Sequence, residues 1–283
     1  MKEYPTIPSV EAAPDGLVDD GHLWLLEKID GVHLRFQLQQ SGLIRFGDRH
    51  SVYDDADDVP DPSQHAVRYV REHLDREALR NAVDDVEDVV FFGEVTSYQT
   101  IDYEWDRIPS FLGFDIWSAD TETFRPPDAV HAIFDGIGLE SVTVFERERR
   151  ARDFDPESYT IPQSEWNDGP AEGVVIRDKR GQRAKLLHPD AGDADTPTPV
   201  DAPAEKLAAQ YATRERLERL ATQLEDNGRP VTFETHYERV LEDILREAHG
   251  RLSHGESTLE MSEFRAEVGA LTRAFLDDRT AGS

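Results

Sequence analysis

The spacing of apolar residues changes once along the chain, and this change limits the folds that the sequence can adopt. Up to Leu187, short runs of β-branched and aromatic residues alternate with turn-forming residues, which is typical of strands. Residues 188–205 are rich in Pro, Asp, Ala and Thr, and beyond them apolar residues recur at helical spacing. We therefore predict a strand-rich domain at residues 1–188, a linker at 189–204 and a helical domain at 205–283.

The strand-rich part contains two predicted helices, one opening at Asp61-Pro62 and one after Pro126-Pro127. A turn at Gln40-Ser41-Gly42 predicts a hairpin. Three apolar stripes predict the helices of the last domain, so the fold class is α+β with mostly antiparallel sheets and a small C-terminal helical domain. The predicted strands are residues 23–26, 32–38, 43–46, 89–95, 111–117, 142–145, 173–177 and 183–187.

The excess of acidic residues indicates adaptation to a salt-rich solvent rather than a particular binding partner. The formal net charge is −28, and the 31 basic residues comprise 26 arginines and only 5 lysines. A chain this acidic is a poor general binder of polyanions, but screening at about 1 M salt shortens the Debye length to roughly 3 Å. We predict a halophilic surface. With no cysteine, no apolar leader and no apolar run of membrane length, we expect a cytoplasmic, monomeric protein without membrane contact.

The segment Glu27-Lys28-Ile29-Asp30-Gly31 lies between two predicted strands and offers an amine for covalent chemistry. An amine must lose its proton before it attacks phosphorus, and neighbouring cations or a metal, with partial desolvation, favour the neutral form. Gly31 would let the backbone approach a bound nucleotide, and Asp30 would fix the turn. Taken alone, the segment is also compatible with an ordinary hairpin turn that carries a surface lysine.

Five further motifs follow Lys28 in order. An arginine before a glycine stands at Arg45, an apolar strand ends at Gly-Glu with Glu94, and an aromatic strand carries Phe114 before an aspartate. A Glu-Gly-x-Val-x-Arg motif begins at Glu172, and Arg-x-Lys occupies 183–185. In this order they resemble the covalent nucleotidyltransferase superfamily of DNA ligases, RNA ligases and mRNA capping enzymes. The resemblance covers roughly residues 23–187 and implies the adenylyltransferase fold of the DNA and RNA ligases, which is ATP-grasp-like.

The resemblance implies that ATP is the nucleotide and that Lys28 carries its AMP. Glu94 would contact the ribose, Phe114 would stack on the adenine, and Arg45 would bind the ribose or a phosphate. We expect Glu27, beside the nucleophile, to accept a hydrogen bond from the adenine amino group. In a chain with 59 acidic residues, Glu94 or Glu172 taken singly could instead be an ordinary solvated carboxylate.

The same resemblance assigns the phosphate end of the nucleotide. Lys185 and Arg183 would clamp the α-phosphate and stabilise the charge of the transition state. Glu172 would hold the catalytic metal ion, Mg²⁺ or Mn²⁺. For Arg177, a position on the protein surface and a role in the site are equally compatible with the sequence. A chain that has replaced nearly all lysines with arginine keeps Lys28 and Lys185, as expected if these positions need an amine.

Two differences from the DNA ligases and capping enzymes indicate which branch of the superfamily this chain resembles. DNA ligases and capping enzymes usually have Arg or Lys two positions after the motif glycine, and RNA ligases of the bacteriophage nick-sealing type have a small polar residue. Here that residue is His33. The helical C-terminal domain, with ten arginines between Arg214 and Arg279, is similar to that of the nick-sealing RNA ligases rather than to an OB barrel.

We therefore predict an ATP-dependent RNA ligase that joins 3′-hydroxyl and 5′-phosphate RNA ends in RNA repair. The helical domain would engage the RNA. A DNA ligase, a GTP-dependent capping-type enzyme and a non-catalytic relative that binds RNA or nucleotide stay open as alternatives.

Overall fold

The structure, a computed structural model, describes residues 1–192, 202–253 and 260–281. The chain divides into two compact units, Met1–Ala194 and Asp195–Ser283. The first unit contains two antiparallel sheets, and the described part of the second is built from α-helices. The predicted α+β class, with antiparallel sheets and C-terminal helices, is confirmed.

A four-stranded sheet has the order β7-β1-β8-β9, so β1 lies inside it and β9 at one edge. Leu23 and Leu25 of β1 are fully buried, and they pack with apolar side chains of β8 and β9 in one core cluster. The register of β1 against β8 pairs Lys28 with Gly173. The strands are β1 (His22–Lys28), β7 (Val144–Arg150), β8 (Gly173–Arg177) and β9 (Arg183–Leu187).

A five-stranded sheet has the order β3-β2-β4-β5-β6. The turn between its first two strands includes Gly42 at φ +89°, a left-handed conformation that favours glycine. The central strand β4 is almost wholly buried, which explains its continuous apolar run. The strands are β2 (Val32–Leu38), β3 (Ile44–Gly47), β4 (Val89–Val95), β5 (Phe111–Ser118) and β6 (Thr123–Phe124).

Three helices accompany the sheets: α1 (Gln64–His73), α2 (Arg76–Ala82) and α3 (Pro127–Gly136). They contribute buried side chains to the core cluster on one face of the five-stranded sheet. In α3, Pro127 occupies the first helical position, where its missing N–H costs nothing, and Phe134 is fully buried in this cluster.

The second unit contains α4 (Ala204–Tyr211), α5 (Arg214–Asp226), α6 (Phe233–Ser253) and α7 (Met261–Ala281). Their apolar stripes meet in one core cluster. None of the helices in the described ranges has both the length and the apolar character needed to cross a bilayer.

Most predicted elements are present, and the differences have local causes. Helix α2 buries only Leu79, so it leaves no apolar stripe, and β6 has two residues, too few for a pattern. The predicted strand at 142–145 is instead β7, which starts at Val144 and runs through polar residues to Arg150. Residues 61–63 form a 3₁₀ turn, so α1 begins at Gln64 rather than at Asp61.

Two predictions concern the region around the linker. The first C-terminal stripe belongs to two helices rather than one, because the Thr213 hydroxyl accepts a hydrogen bond from the Arg216 amide and starts α5 anew. The centre of the predicted linker lies outside the described residues. At its ends, Pro189–Gly192 form a 3₁₀ turn and α4 begins at Ala204.

Candidate active site

A cavity in the first unit is lined by strands of both sheets. The four-stranded sheet contributes Lys28 at the end of β1 and Lys185 in β9, and the five-stranded sheet contributes Glu94 in β4 and Phe114 in β5. Leu26, Val142 and Val175 supply apolar wall next to these charged groups. The combination of an apolar lining with a few converging charges is typical of a small-molecule site.

The ammonium group of Lys28 lies against the carboxylate of Glu172. Nζ is 2.6 Å from Oε2, although the two residues are 144 positions apart in the chain. The β1–β8 register causes this contact, because Glu172 immediately precedes the partner of Lys28. Burial raises the pKa of Glu172, while the neighbouring Lys28 ammonium acts in the opposite direction.

Glu94 is half-buried in the cavity and stands opposite His33 in the β2–β4 ladder. Burial raises the pKa of Glu94 to about 7; Lys28 opposes this shift, and the like charge of Glu172 adds to it. A carboxyl group in this state can accept or donate a hydrogen bond near neutral pH.

Glu27 is buried beside the nucleophile position. Its Oε1 accepts a 2.5 Å hydrogen bond from the Ser164 hydroxyl. Its Oε2 is buried and makes no well-formed hydrogen bond among the described residues. Burial raises the pKa of Glu27, and the bond from Ser164 opposes that shift. The Thr143 side chain and the Glu165 backbone also hydrogen-bond to Glu27, and Glu27 is one of the residues that line the cavity.

Asp30 and Gly31 shape the loop after Lys28 and do not line the cavity. One oxygen of Asp30, Oδ2, accepts hydrogen bonds from the amide and hydroxyl of Thr100 and from the amide of Ile101. A Cβ on Gly31 would lie 2.3 Å from the carbonyl oxygen of Val95. The close backbone approach at Gly31 is therefore to β4, and the prediction that it serves a ligand is not supported by the geometry.

Arg183 lies in a dry cluster beside the cavity. Its Nη1 is 3.2 Å from Oδ2 of Asp115, and its guanidinium stacks 4.4 Å from the Phe124 ring centre. Arg177 binds the other oxygen of Asp115 at 3.0 Å and also donates to the Phe114 carbonyl. The structure does not bring Arg183 to the cavity as a phosphate clamp, because the fully buried carboxylate of Asp115 holds it elsewhere. Of the two predicted clamp residues, only Lys185 lines the cavity.

Arg45 also lies away from the cavity. It is exposed on β3, opposite Gln37 of β2. Arg49, just beyond the end of β3, lines the cavity instead. Arg35 of β2 is buried, and its guanidinium donates a hydrogen bond to the Lys2 carbonyl.

A family model described as RNA ligase matches residues 21–187 of this sequence, which is more than half of the chain. The chain belongs to the RNA ligase family. The matched range begins just before β1 and ends with β9, so it contains Lys28, Glu94, Phe114, Glu172 and Lys185. No curated protein matches the sequence.

Solved RNA ligases share the fold. An archaeal ATP-dependent RNA ligase aligns with 100% of this chain and 67% of its own, at 19% identity and a TM-score of 0.48. A mutant Naegleria gruberi RNA ligase with ATP and Mn aligns with 69% of this chain and 58% of its own, at 15% identity and a TM-score of 0.51. The chain thus spans about two thirds of the archaeal ligase's length and less of the Naegleria one. The Naegleria comparison shows a common fold.

The cavity of this RNA ligase family member also contains residues that the sequence did not indicate. Tyr4, Thr6 and Ile7 line it, and all three precede the matched family range.

His33 is buried, its Nε2 has no hydrogen-bond partner in the described part of the chain, and burial lowers its pKa to about 4. A neutral imidazole can donate one hydrogen bond to a ligand, as the expected small polar residue would.

Proposed function

We propose that this protein is an ATP-dependent RNA ligase that forms a covalent lysyl-AMP on Lys28. The contact that carries the proposal is the 2.6 Å approach of Nζ to the carboxylate of Glu172, because Lys28 lines the cavity together with Glu94 and Phe114. The side chain of Lys28 is 24% exposed, so it is reachable from the cavity. An amine held in place beside a proton acceptor is what a nucleophilic lysine requires.

In the first step, Nζ would form a bond to the α-phosphorus of ATP while the bond from that phosphorus to its bridging oxygen breaks. Pyrophosphate leaves with the bonding electrons. The nitrogen loses two protons, one before the attack and one as the P–N bond forms. Glu172 is the nearest acceptor for the first proton, and its raised pKa makes it a better base than an ordinary glutamate. The second proton passes to pyrophosphate or solvent.

The remaining cavity groups fit an adenine nucleotide. The half-buried ring of Phe114 offers a stacking surface, and Glu27, which lines the same cavity, would accept a hydrogen bond from the adenine amino group. Glu94 would take a ribose hydroxyl. Lys185 supplies positive charge for the α-phosphate, and Arg49 takes the place proposed for Arg45. Asp30 would act by holding the loop after the nucleophile in position.

A divalent cation fits this site only together with the substrate. Within the described ranges, no group of three or more His, Asp or Glu side chains is arranged to hold a metal ion. Mg²⁺ commonly binds through one or two carboxylates plus substrate phosphates, and Glu172 would supply such a carboxylate. When bound, Mg²⁺ or Mn²⁺ would neutralise charge on the phosphates. The Naegleria ligase structure with ATP and Mn supports this choice of ligands.

The substrate would be RNA, whose 5′-phosphate receives the AMP and whose 3′-hydroxyl then displaces it. The helical unit contributes less positive charge than its arginine content suggests. Arg216 and Arg219 both bind Asp243, at 3.1 and 2.9 Å, and Arg279 binds Glu225 at 2.8 Å. RNA engagement by this unit, a role in RNA repair and a cytoplasmic location stay predictions.

The covalent step is tested by incubating the protein with α-³²P-labelled ATP and Mg²⁺ or Mn²⁺, followed by a denaturing gel. We expect the chain to be labelled and Lys28→Ala to lose the label. Lys179→Ala is the matched control, because Lys179 forms only surface ion pairs with Asp128 and Glu148. A Lys28→Ala protein that labels like the wild type would refute the assignment.

Nucleotide choice separates the proposal from a capping-type enzyme. Excess unlabelled GTP should barely reduce labelling by ATP, since guanine presents a carbonyl oxygen where adenine presents its amino group, and Glu27 offers an acceptor there. Equal competition by GTP would favour the capping-type alternative.

A further inference from the structure

Residues 2–8, here called the strap, cross from one sheet to the other beside the cavity. At one end, the Lys2 carbonyl accepts a 2.6 Å hydrogen bond from Arg35 of β2. At the other end, the Pro8 carbonyl accepts a 2.9 Å bond from the amide of Lys185, at the free edge of β9. Ser9 continues this contact as a parallel bridge to Lys185. The strap is therefore fixed to both sheets that line the cavity.

Tyr4 lies at the centre of the strap and is only 6% exposed. Its hydroxyl donates a 2.9 Å hydrogen bond to Asp115. Its ring packs edge-on against Phe114 with the centroids 5.0 Å apart, and 5.8 Å from the ring of His33. Tyr4 thus packs directly against the ring that the proposed function assigns to adenine.

Thr6 and Ile7 continue the strap along the cavity and line it together with Lys28 and Glu94. Ile7 packs against the core cluster of Tyr4, Val90 and Phe92. Thr6 is exposed at the cavity mouth, where its hydroxyl is available to a ligand. Since β9 is an edge strand, the strap also supplies the hydrogen-bond acceptor that fixes the backbone of Lys185.

We propose that the strap is a wall of the nucleotide pocket and that Tyr4 is a positioning residue for ATP. Tyr4 holds Phe114 at the angle that base stacking needs, and the Pro8 carbonyl places Lys185 toward the phosphates. This inference rests on the proposed function for the identity of the ligand. The residues involved precede the range that the family model matches, so they represent a feature of this chain outside the motifs.

The test measures binding without chemistry, using α,β-methylene-ATP with Mg²⁺ and isothermal titration calorimetry on the full chain. The methylene bridge prevents transfer to Lys28, so affinity reports on the pocket alone. Tyr4→Ala should weaken binding about tenfold, the scale expected when an aromatic support is lost. Tyr4→Phe keeps the ring and should bind close to the wild type. Tyr159→Ala is the control, because Tyr159 is half-buried against Phe154 in another core cluster.

Hydrogen exchange on the wild-type chain gives a second readout that does not depend on any variant folding. Adding the analogue should slow exchange of the amides in residues 2–8 and leave those of β7 unchanged. Wild-type affinity in a folded Tyr4→Ala, or unchanged exchange in the strap while β4 becomes protected, would overturn the inference.

Failure of the proposed function would look different. A wild-type chain that binds the analogue in a Tyr4-dependent manner but never becomes labelled by ATP would refute lysyl-AMP formation and leave the role of the strap intact. A wild-type chain that neither binds the analogue nor becomes labelled by ATP would refute both.

Discussion

Two groups of charged side chains lie next to each other in the first unit in opposite surroundings. Lys28 and Glu172 form an ion pair whose side chains are 24% and 14% exposed. In the second group, Asp115 binds Arg177 and Arg183, and these side chains are 0%, 2% and 5% exposed. The first group can meet a ligand and exchange protons with it. The second, here called sealed because none of its side chains is more than 5% exposed, has an excess of one positive charge, and its Arg177 also borders the cavity.

This difference in burial implies that the open pair serves the reaction and that the buried cluster serves the stability of the fold. Removing one partner of a sealed ion pair leaves a buried charge uncompensated, which is costly, whereas a pair open to solvent can be rehydrated or can change protonation. Strand β8 links the two groups, because Glu172 immediately precedes it and Arg177 ends it. We therefore expect changes in the open pair to affect chemistry and changes in the sealed cluster to affect folding.

The largest effect is expected for Lys28→Arg. Guanidinium stays protonated and cannot form the P–N bond, so labelling by α-³²P-ATP should fall below detection. The positive charge beside Glu172 is kept, so the thermal unfolding midpoint should stay close to that of the wild type. Differential scanning calorimetry checks this second part. If Lys28→Arg were inactive because it had unfolded, the open pair would be needed for folding as well, which contradicts this prediction.

The next largest effect is expected for Asp115→Asn, which should lower the free energy of unfolding by about 3–5 kcal/mol. Two buried guanidinium groups would lose their shared counter-charge. Urea unfolding followed by circular dichroism measures the loss. Asp128→Asn is the matched control, because its pair with Lys179 is half-exposed and its loss should not be measurable. Equal losses for both variants would contradict the distinction between sealed and open pairs.

Salt should act on the surface and not on the sealed cluster. The charge of −28 predicts a thermal midpoint higher by about 10 °C in 2 M than in 0.1 M KCl, because salt screens repulsion between exposed carboxylates. The loss caused by Asp115→Asn should be the same at both salt concentrations. A wild-type protein with equal midpoints in both would reject the halophilic interpretation and leave the enzymatic one untouched.

The smallest effect concerns Glu94, whose pKa rises from 4.5 to about 7 on folding, chiefly through burial. The folded state therefore holds this proton more tightly than the unfolded state. The stability that results is complete below pH 4.5 and is lost as the pH rises through 7. Glu94→Gln should raise the thermal midpoint relative to the wild type at pH 8 and change it little at pH 5. Glu157→Gln, on an exposed turn, should show no such pH dependence.

The elements that the sequence revealed are those with a local pattern. Strands β1, β2, β4, β8 and β9 were predicted because their apolar runs are bounded by turn residues. Four of the family motifs, those of Lys28, Glu94, Glu172 and Lys185, lie on or next to these strands. Lys28 and Glu172 were both selected by motif, and the register of two adjacent strands brings them together. Which oxygen approaches Nζ, and at what distance, depends on three-dimensional packing that the chain order does not contain.

Residues that the sequence misjudged are those whose partners come from distant elements. Arg183 and Lys185 are two apart on β9 and so point to one face of the strand. Arg183 is nevertheless drawn to Asp115 of β5, and no local pattern marks that carboxylate as buried. Tyr4 sits in a segment without helical or strand periodicity, so nothing in the sequence connects it to the cavity.

The contact between Lys28 and Glu172 also fixes when the protein can become reactive during its synthesis. Lys28 leaves the ribosome early, but its carboxylate partner follows 144 residues later, and Lys185 later still. Contacts of such long sequence separation form late, because the intervening loop must close first. A nascent chain that has extended only as far as β7 cannot assemble the site. Labelling by ATP would therefore mark chains in which the four-stranded sheet is complete.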